Sequence, residues 1–209
     1  HVALEGPDGC GKSRQAEILT RSLLERYRDR GYVWPFAHVL PPEGNPGGAV
    51  GAAAHYAALR YGILSLTAQV PGDFLLLVSD RWTLSTVAFA RSVGTSTEVE
   101  PILAAERAYE RAIGLKTRTI FLTASDETLD RRLSERGEDL PAERLTRRAA
   151  YRALAREMDL PEIDTDRDRE KVAAEILRTA TATIDRWISE RTQTPGRFRH
   201  RGGERAMPR

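Results

Sequence analysis

The sequence has one cysteine, two methionines and three lysines in 209 residues. A single thiol, Cys10, excludes an internal disulfide framework and a cysteine metal cluster. It fits a reducing, cytoplasmic compartment. The four histidines show no paired metal spacing. The longest apolar run, residues 74–78, is five residues. A spanning helix needs roughly 18, so no membrane partner is expected. No signal-peptide pattern is present, and the chain opens inside what reads as a strand, which implies residues upstream. Charge of one sign is also missing: 32 basic residues stand against 30 acidic ones. Bulk charge therefore gives no reason to expect a nucleic-acid partner.

What is present is apolar material for one core, at 41% of residues, and a basic set made almost wholly of arginine. The only lysines are Lys12, Lys116 and Lys171. Strand patterns at 2–4, 32–40, 74–79, 117–123 and 162–165 alternate with helical ones. The helices are expected at 13–28, 49–69, 83–92, 101–113, 142–158 and 172–191, with one more capped by Ser125. Pro35 weakens the second strand, Gly31 stops the first helix, and Pro71-Gly72 is a turn. Residues 41–48 are loop, and residues 137–141 break the helix that Ser125 starts. This alternation predicts a three-layer α/β/α domain over 1–191 with a central parallel sheet of about five strands. Residues 192–209 carry five arginines against one acid and read as a solvated, poorly ordered basic tail.

The first strand runs into Gly6-Pro7-Asp8-Gly9-Cys10-Gly11-Lys12-Ser13, which fits G-x-x-x-x-G-K-[ST] at every position. Gly6, Gly9 and Gly11 let the backbone curl so that successive N–H groups face an anion. The following helix adds its positive end. Lys12 can reach terminal phosphates, and the Ser13 hydroxyl can ligate magnesium. Cys10 is a small loop residue in this reading. The pattern predicts a P-loop NTPase that binds ATP with Mg²⁺.

Asp80 follows a buried strand, where a carboxylate gives magnesium a second protein contact. The adjacent Arg81 can grip an acceptor phosphate. The GTPase base-reading motif N-K-x-D is absent, as is a transporter-type LSGGQ. Instead Arg131, Arg132 and Arg136, then Arg144, Arg147, Arg148 and Arg152, gather late in the chain. Arg132 and Arg136 lie one turn apart on one helix face. They fit a short lid over about 132–148 that neutralises a transferring phosphoryl group and excludes water.

With these residues in view, the chain resembles the thymidylate kinases, a branch of the nucleoside monophosphate kinases. Residues 5–13 are similar to that family's E-G-x-D-G-x-G-K-[ST] loop, Asp8 being its acidic member near donor and acceptor. Asp80-Arg81-Trp82-Thr83-Leu84-Ser85-Thr86-Val87-Ala88-Phe89 is similar to D-R-Y-x-x-S-x-x-A-Y. Tyr56-Ala57-Ala58-Leu59-Arg60 matches an aromatic-x-A-x-R segment. The resemblance implies that Tyr56 stacks on a pyrimidine and Arg60 bonds its edge. It also sets Arg81, Ser85 and Phe89 on the acceptor side, together with an acceptor-binding segment over about 41–70. Arg136-Gly137-Glu138 and Arg148-Ala149-Ala150-Tyr151 look like the lid and the helix after it. Asp164-Thr165-Asp166-Arg167 falls where the last loop borders the ATP adenine, making Arg167 an ATP contact. The implied activity is phosphoryl transfer from ATP to a nucleoside monophosphate, dTMP foremost, with Lys12, Arg81, Arg132 and Arg136 carrying it. The related kinases are commonly dimers, and helices 49–69 and 83–92 could form such an interface.

The departures all touch the acceptor or lid side. The family's R-x-P arginine after the second strand is missing, since residues 39–48 contain no arginine. The helical segment that follows and the lid are both shorter. A Tyr-Gln pair is replaced by Phe89-Ala90. Two alternatives stand beside dTMP phosphorylation. One is the same donor chemistry on another nucleotide or a small metabolite. The other is ATP binding without efficient transfer.

Overall fold

A computed structural model describes residues 1–29, 32–38, 48–67, 75–138 and 142–192, with 32–38 and 191–192 described by backbone alone. Five segments form strands: β1 (Val2–Glu5), β2 (Tyr32–His38), β3 (Leu75–Asp80), β4 (Arg118–Thr123) and β5 (Glu162–Asp164). They pair in parallel in the order β2-β3-β1-β4-β5. The helices among the described residues are α1 (Lys12–Arg26), α2 (Gly48–Thr67), α3 (Thr83–Ser92), α4 (Ser96–Ala112), α5 (Asp126–Ser134), α6 (Ala142–Glu157) and α7 (Arg169–Thr192). None of them is long and apolar enough to cross a membrane.

The strands are apolar on both faces because helices cover both. Val2, Leu4, Val78, Ile120 and Leu122 pack with Leu19 and Leu23 of α1 and Ile176 and Ile184 of α7. The intervening Ala3 and Leu77 turn the other way, onto Leu64 of α2 and Trp82. Phe121 meets Leu84 of α3 and Tyr151 and Leu154 of α6. The period of two is intact, and both sets of alternate positions are buried.

Helices 83–92 and 142–158 appear within a residue of their expected bounds. The Ser125 hydroxyl accepts from the Thr128 N–H and caps α5, as its sequence predicts. Gly137, at φ 70°, ends that stretch with two turn bonds, Gly137 N–H to Ser134 O at 2.9 Å and Glu138 N–H to Leu133 O at 3.1 Å. Helix 101–113 needs correction. α4 begins at Ser96 and Pro101 lies inside it. Fully buried Val99 anchors the turn ahead of Pro101, and packing there offsets the backbone bond that the proline lacks. β2 is an edge strand, and its register with β3 shifts between Trp34 and Ala37, around Pro35. An edge position and an irregularity are what a strand proline requires. Gly31, the loop at 41–47, Pro71-Gly72, Phe74 and the tail from 193 lie outside the described residues, as do residues 139–141 of the expected lid.

The register positions the site. Leu4 of β1 stands opposite Asp80 of β3 and Ile120 of β4, so the carboxyl ends of β1 and β3 lie side by side. The chain leaves them toward opposite faces, into α1 and into α3. Crevices at such reversals are where ligands bind in open α/β sheets.

Candidate functional site

The loop between β1 and α1 depends on backbone that only glycine adopts freely. Gly6, Gly9 and Gly11 have φ of 144°, 89° and 86°. At Gly6 a Cβ would overlap the Leu122 carbonyl oxygen, so the loop is pressed against β4. Gly11 begins α1 in the left-handed region, and no side chain caps that helix end. Its first turn holds Lys12, Ser13 and Arg14 and no acid. The positive end of α1 therefore receives no acid or cap from its own first turn.

Lys12 is 5% exposed, and its ammonium donates to Pro7 O at 2.7 Å. It also lies 3.7 Å from Cys10 Sγ. Ser13 Oγ donates to Asp80 Oδ2, joining the loop to the end of β3. These two oxygens are a hard donor set suited to magnesium, which completes its shell with waters and substrate phosphates. No group of three or more His, Cys, Asp or Glu among the described residues could hold a metal by itself. Burial raises the Cys10 thiol, which keeps it protonated and unreactive.

Arg81 has φ of 70°, an uncommon conformation for a side-chain-bearing residue. Its N–H donates to Leu4 O at 2.9 Å. Its guanidinium bonds Asp8 and donates to Tyr151 Oη at 3.0 Å and, at 3.5 Å, to Ser85 Oγ. Glu5 is wholly buried and accepts from the N–H groups of Trp82 at 2.7 Å and Ser85 at 3.2 Å and from the Ser85 hydroxyl. The Tyr151 hydroxyl donates to Ser85 Oγ at 2.6 Å. This network fixes the strained Asp80–Trp82 corner from below and ties it to α6. Burial drives the Glu5 carboxyl upward, and the Ser85 and Trp82 donors restrain it. Burial also opposes charge on Arg81, but Tyr151, Asp8, Asp80 and Glu5 outweigh it and hold the guanidinium protonated.

Asp8 meets Arg81 directly and has Arg144 Nε and Arg147 Nη1 each at 3.9 Å. Burial pushes its carboxyl up, yet Arg81, Lys12 and Arg147 together bring it down to about 2 from 3.8. The unfolded chain therefore takes up this proton first as pH falls. The contribution, at most about 2 kcal/mol, is full above about pH 4 and is lost between about 4 and 2. Urea midpoints of the wild-type chain should fall over that window, and Asp8→Asn should flatten the fall. Equal slopes in the two proteins would contradict this electrostatic account.

Two cavities meet at the loop. The larger, about 590 Å³, includes Gly9, Gly11, Arg132, Arg136, Thr165 and Arg167 in its lining. The smaller, about 290 Å³, includes Asp8, Lys12, Ser13, Asp80, Arg81 and Arg136. Arg132 bonds the Gly9 carbonyl at 3.2 Å and the Thr165 carbonyl at 2.7 Å, bridging the loop and the end of β5. Arg136 is more than half exposed, lies 3.8 Å from Glu138 and lines both cavities. Arg167 donates to Asp164 O and pairs with Glu175.

The residues expected on the acceptor side divide. Ser85 and Phe89 lie on α3 beside this cluster, with the Arg147 guanidinium 4.8 Å above the Phe89 ring. Tyr56 is half-buried; burial raises its hydroxyl, while Arg81, Arg147 and Arg60 pull the other way. Arg60 is 2% exposed, pairs with buried Glu106 through Nε and Nη2 and donates to Thr86 Oγ1 at 3.1 Å. Glu106 has no signal in the sequence, since it lies 46 residues from its partner. Arg144, Arg147 and Tyr151, which the sequence sets only in the late arginine cluster and the helix after the lid, lie against Asp8 and Arg81. Their spacing of three and four puts them on one helix face, a signal that was available.

No protein-family model matches this chain, and no curated protein matches it significantly in sequence.

Proposed function

We propose that this chain is a P-loop phosphotransferase that moves the γ-phosphoryl group of ATP to a nucleoside monophosphate, with dTMP the leading acceptor. One observation carries the reading. A glycine-rich loop with left-handed turns leads into an uncapped helix, and its Ser13 hydroxyl bonds Asp80 at the end of the neighbouring strand. That combination suits a magnesium nucleotide, and it lies where two cavities meet.

Ser13 and Asp80 would hold magnesium, directly or through water, and the ion supplies charge neutralisation on the donor phosphates when bound. Lys12 exchanges the Pro7 carbonyl for a phosphate oxygen. Gly6, Asp8, Gly9, Cys10 and Gly11 form the loop around those phosphates, and Arg132 and Arg167 border the larger cavity, which has room for a nucleoside. Arg136, exposed between the cavities, is free to swing onto the transferring group. Arg81 faces the acceptor phosphate. No general base is required, because that phosphate is already an oxyanion. The likeness to thymidylate kinases in residues 5–13 and 80–89 supports dTMP.

The test is ADP release with ATP and magnesium over dTMP, dUMP, UMP, dCMP, CMP, dGMP and AMP, with a no-acceptor blank. Acceptor-dependent release abolished by EDTA is expected, greatest with dTMP. Blank-level rates with all seven would overturn transfer to nucleotides. The engagement of Arg60 favours a second reading, the same donor chemistry on another acceptor, because three of its five N–H donors are already spent on buried Glu106 and Thr86 and the side chain is closed off from solvent. A dTMP rate far above all others would end that reading.

A further inference from the structure

The segment in which the family resemblance sets an acceptor-phosphate arginine holds none in this sequence. The fold supplies cations at the same site from elsewhere. Arg144 and Arg147 reach from α6 toward Asp8 Oδ2, while Arg81, from the strand corner, bonds Oδ1. Three guanidinium groups thus approach one carboxylate, and with Glu138 beside Arg144 the cluster is left one charge positive before Lys12 is counted. Of the three, only Arg81 hydrogen-bonds Asp8. At 3.9 Å the other two approach without bonding it.

Two further observations indicate a missing anion. Arg144 Nη1 and Arg147 Nε are buried and have no hydrogen-bond partner among the described residues. Buried guanidinium N–H groups ordinarily find an acceptor. Among the described residues Arg144 otherwise pairs with Glu138 at 3.1 Å, and Arg147 lies over the Phe89 ring. A phosphomonoester dianion brings two charges and three acceptor oxygens, which is what this excess of cations and donors needs.

We propose that Arg144 and Arg147, together with Arg81, form the grip for the phosphate of an aromatic phosphomonoester, in place of an arginine from residues 39–48. Phe89 and Tyr56 flank the cluster and provide ring surfaces for the attached group. Asp8 sets the arginines' spacing, and its place in the smaller cavity with Lys12 and Asp80 brings the gripped phosphate beside the donor phosphates. This deepens the phosphotransferase reading and rests on it for the identity of the donor.

The experiment is calorimetric titration of the full chain with dTMP, thymidine, inorganic phosphate and magnesium ATP, at fixed moderate salt. The proteins are wild type, Arg147→Gln, Arg144→Gln and Arg147→Lys. Wild type should bind dTMP far more tightly than thymidine. Each glutamine variant should lose about 10- to 100-fold in dTMP affinity, the worth of a charge-assisted bond, with ATP affinity within about twofold. Arg147→Lys keeps charge and bulk but loses the planar fork, so it should fall between. It also covers the case in which a glutamine variant unfolds. In turnover assays the loss should appear in the acceptor KM and leave the KM for ATP unchanged. Unaltered dTMP affinity in all three variants, or equal wild-type affinity for dTMP and thymidine, would overturn the grip and leave phosphoryl transfer standing. Phosphate-dependent dTMP binding that the variants lose, without ADP release in any protein, would support the grip while overturning the transfer.

Discussion

Lys12→Ala is expected to lower acceptor-dependent ADP release by about 100- to 1000-fold, the usual cost of removing one donor aimed at developing charge. The reason is positional. Lys12 is the sole lysine near the loop, and its ammonium is held at Pro7 O, inside the curve that the phosphates would enter. Its removal frees the Pro7 carbonyl and deletes one buried stem. The melting temperature should move by no more than about 2–4 °C, the worth of one hydrogen bond in a domain of this size. Lys12→Arg restores charge in a bulkier, forked form and should recover only part of the rate. The measurement is steady-state turnover with magnesium ATP and dTMP, beside thermal melts of each variant. Unchanged turnover in Lys12→Ala would remove the phosphate-binding role from the loop.

The largest effect on stability is expected at a residue with no part in the proposed chemistry. Glu106→Ala should destabilise the fold by about 3–5 kcal/mol, because it leaves the Arg60 guanidinium buried without its counter-charge. Arg60 is 2% and Glu106 1% exposed, so water cannot take the carboxylate's place. Thr86 Oγ1 and the Trp82 ring, 5.9 Å from the guanidinium carbon, also meet Arg60 and carry no charge, while Glu110 acts on it through space. The double variant Arg60→Met/Glu106→Leu should recover most of the loss, since apolar residues of similar volume replace buried ion pairs at little cost. Urea unfolding of the three proteins tests this. A Glu106→Ala loss under about 1 kcal/mol would mean that the pair opens readily, and Arg60 would then be available to an acceptor base. A stable double variant with an unchanged acceptor KM would assign Arg60 to the scaffold alone.

Tyr56 and Arg60 illustrate how sequence spacing and tertiary setting part company. One turn apart on an alanine-rich helix, they read as a pair acting on one ligand. The fold gives them different neighbours. Tyr56 feels Arg81 and Arg147, while Arg60 is closed off by α4 through Glu106. Nothing local to α2 predicts this, because the deciding carboxylate comes from another helix. The α4 start is a similar case. Pro101 looks like a first helical residue, yet the burial of Val99 extends the helix ahead of it.

Arg132 and Arg136 make the same point on the other side of the loop. Their one-turn spacing matches the structure, and both line the larger cavity. Their states differ nevertheless. Arg132 is committed to the Gly9 and Thr165 carbonyls and braces the loop, whereas Arg136 stays exposed. A helical repeat specifies a face, but the partners on that face belong to β5 and the loop.

The sequence by itself determined the strand–helix alternation, the loop at 6–13 and the carboxylate at 80. Each is local: apolar period, glycine conformational freedom and helix-capping chemistry act within a few residues. It also determined that arginine would provide nearly all the positive charge. Only the tertiary structure decided which of those arginines are spent on the scaffold and which face a site. Arg60 and Arg148 are buried against Glu106 and Asp130, while Arg81, Arg144 and Arg147 gather around Asp8. The physical reason is that a charge is assigned by its nearest partner in space. Those partners lie on strands and helices distant in sequence, brought together by the register of a parallel sheet.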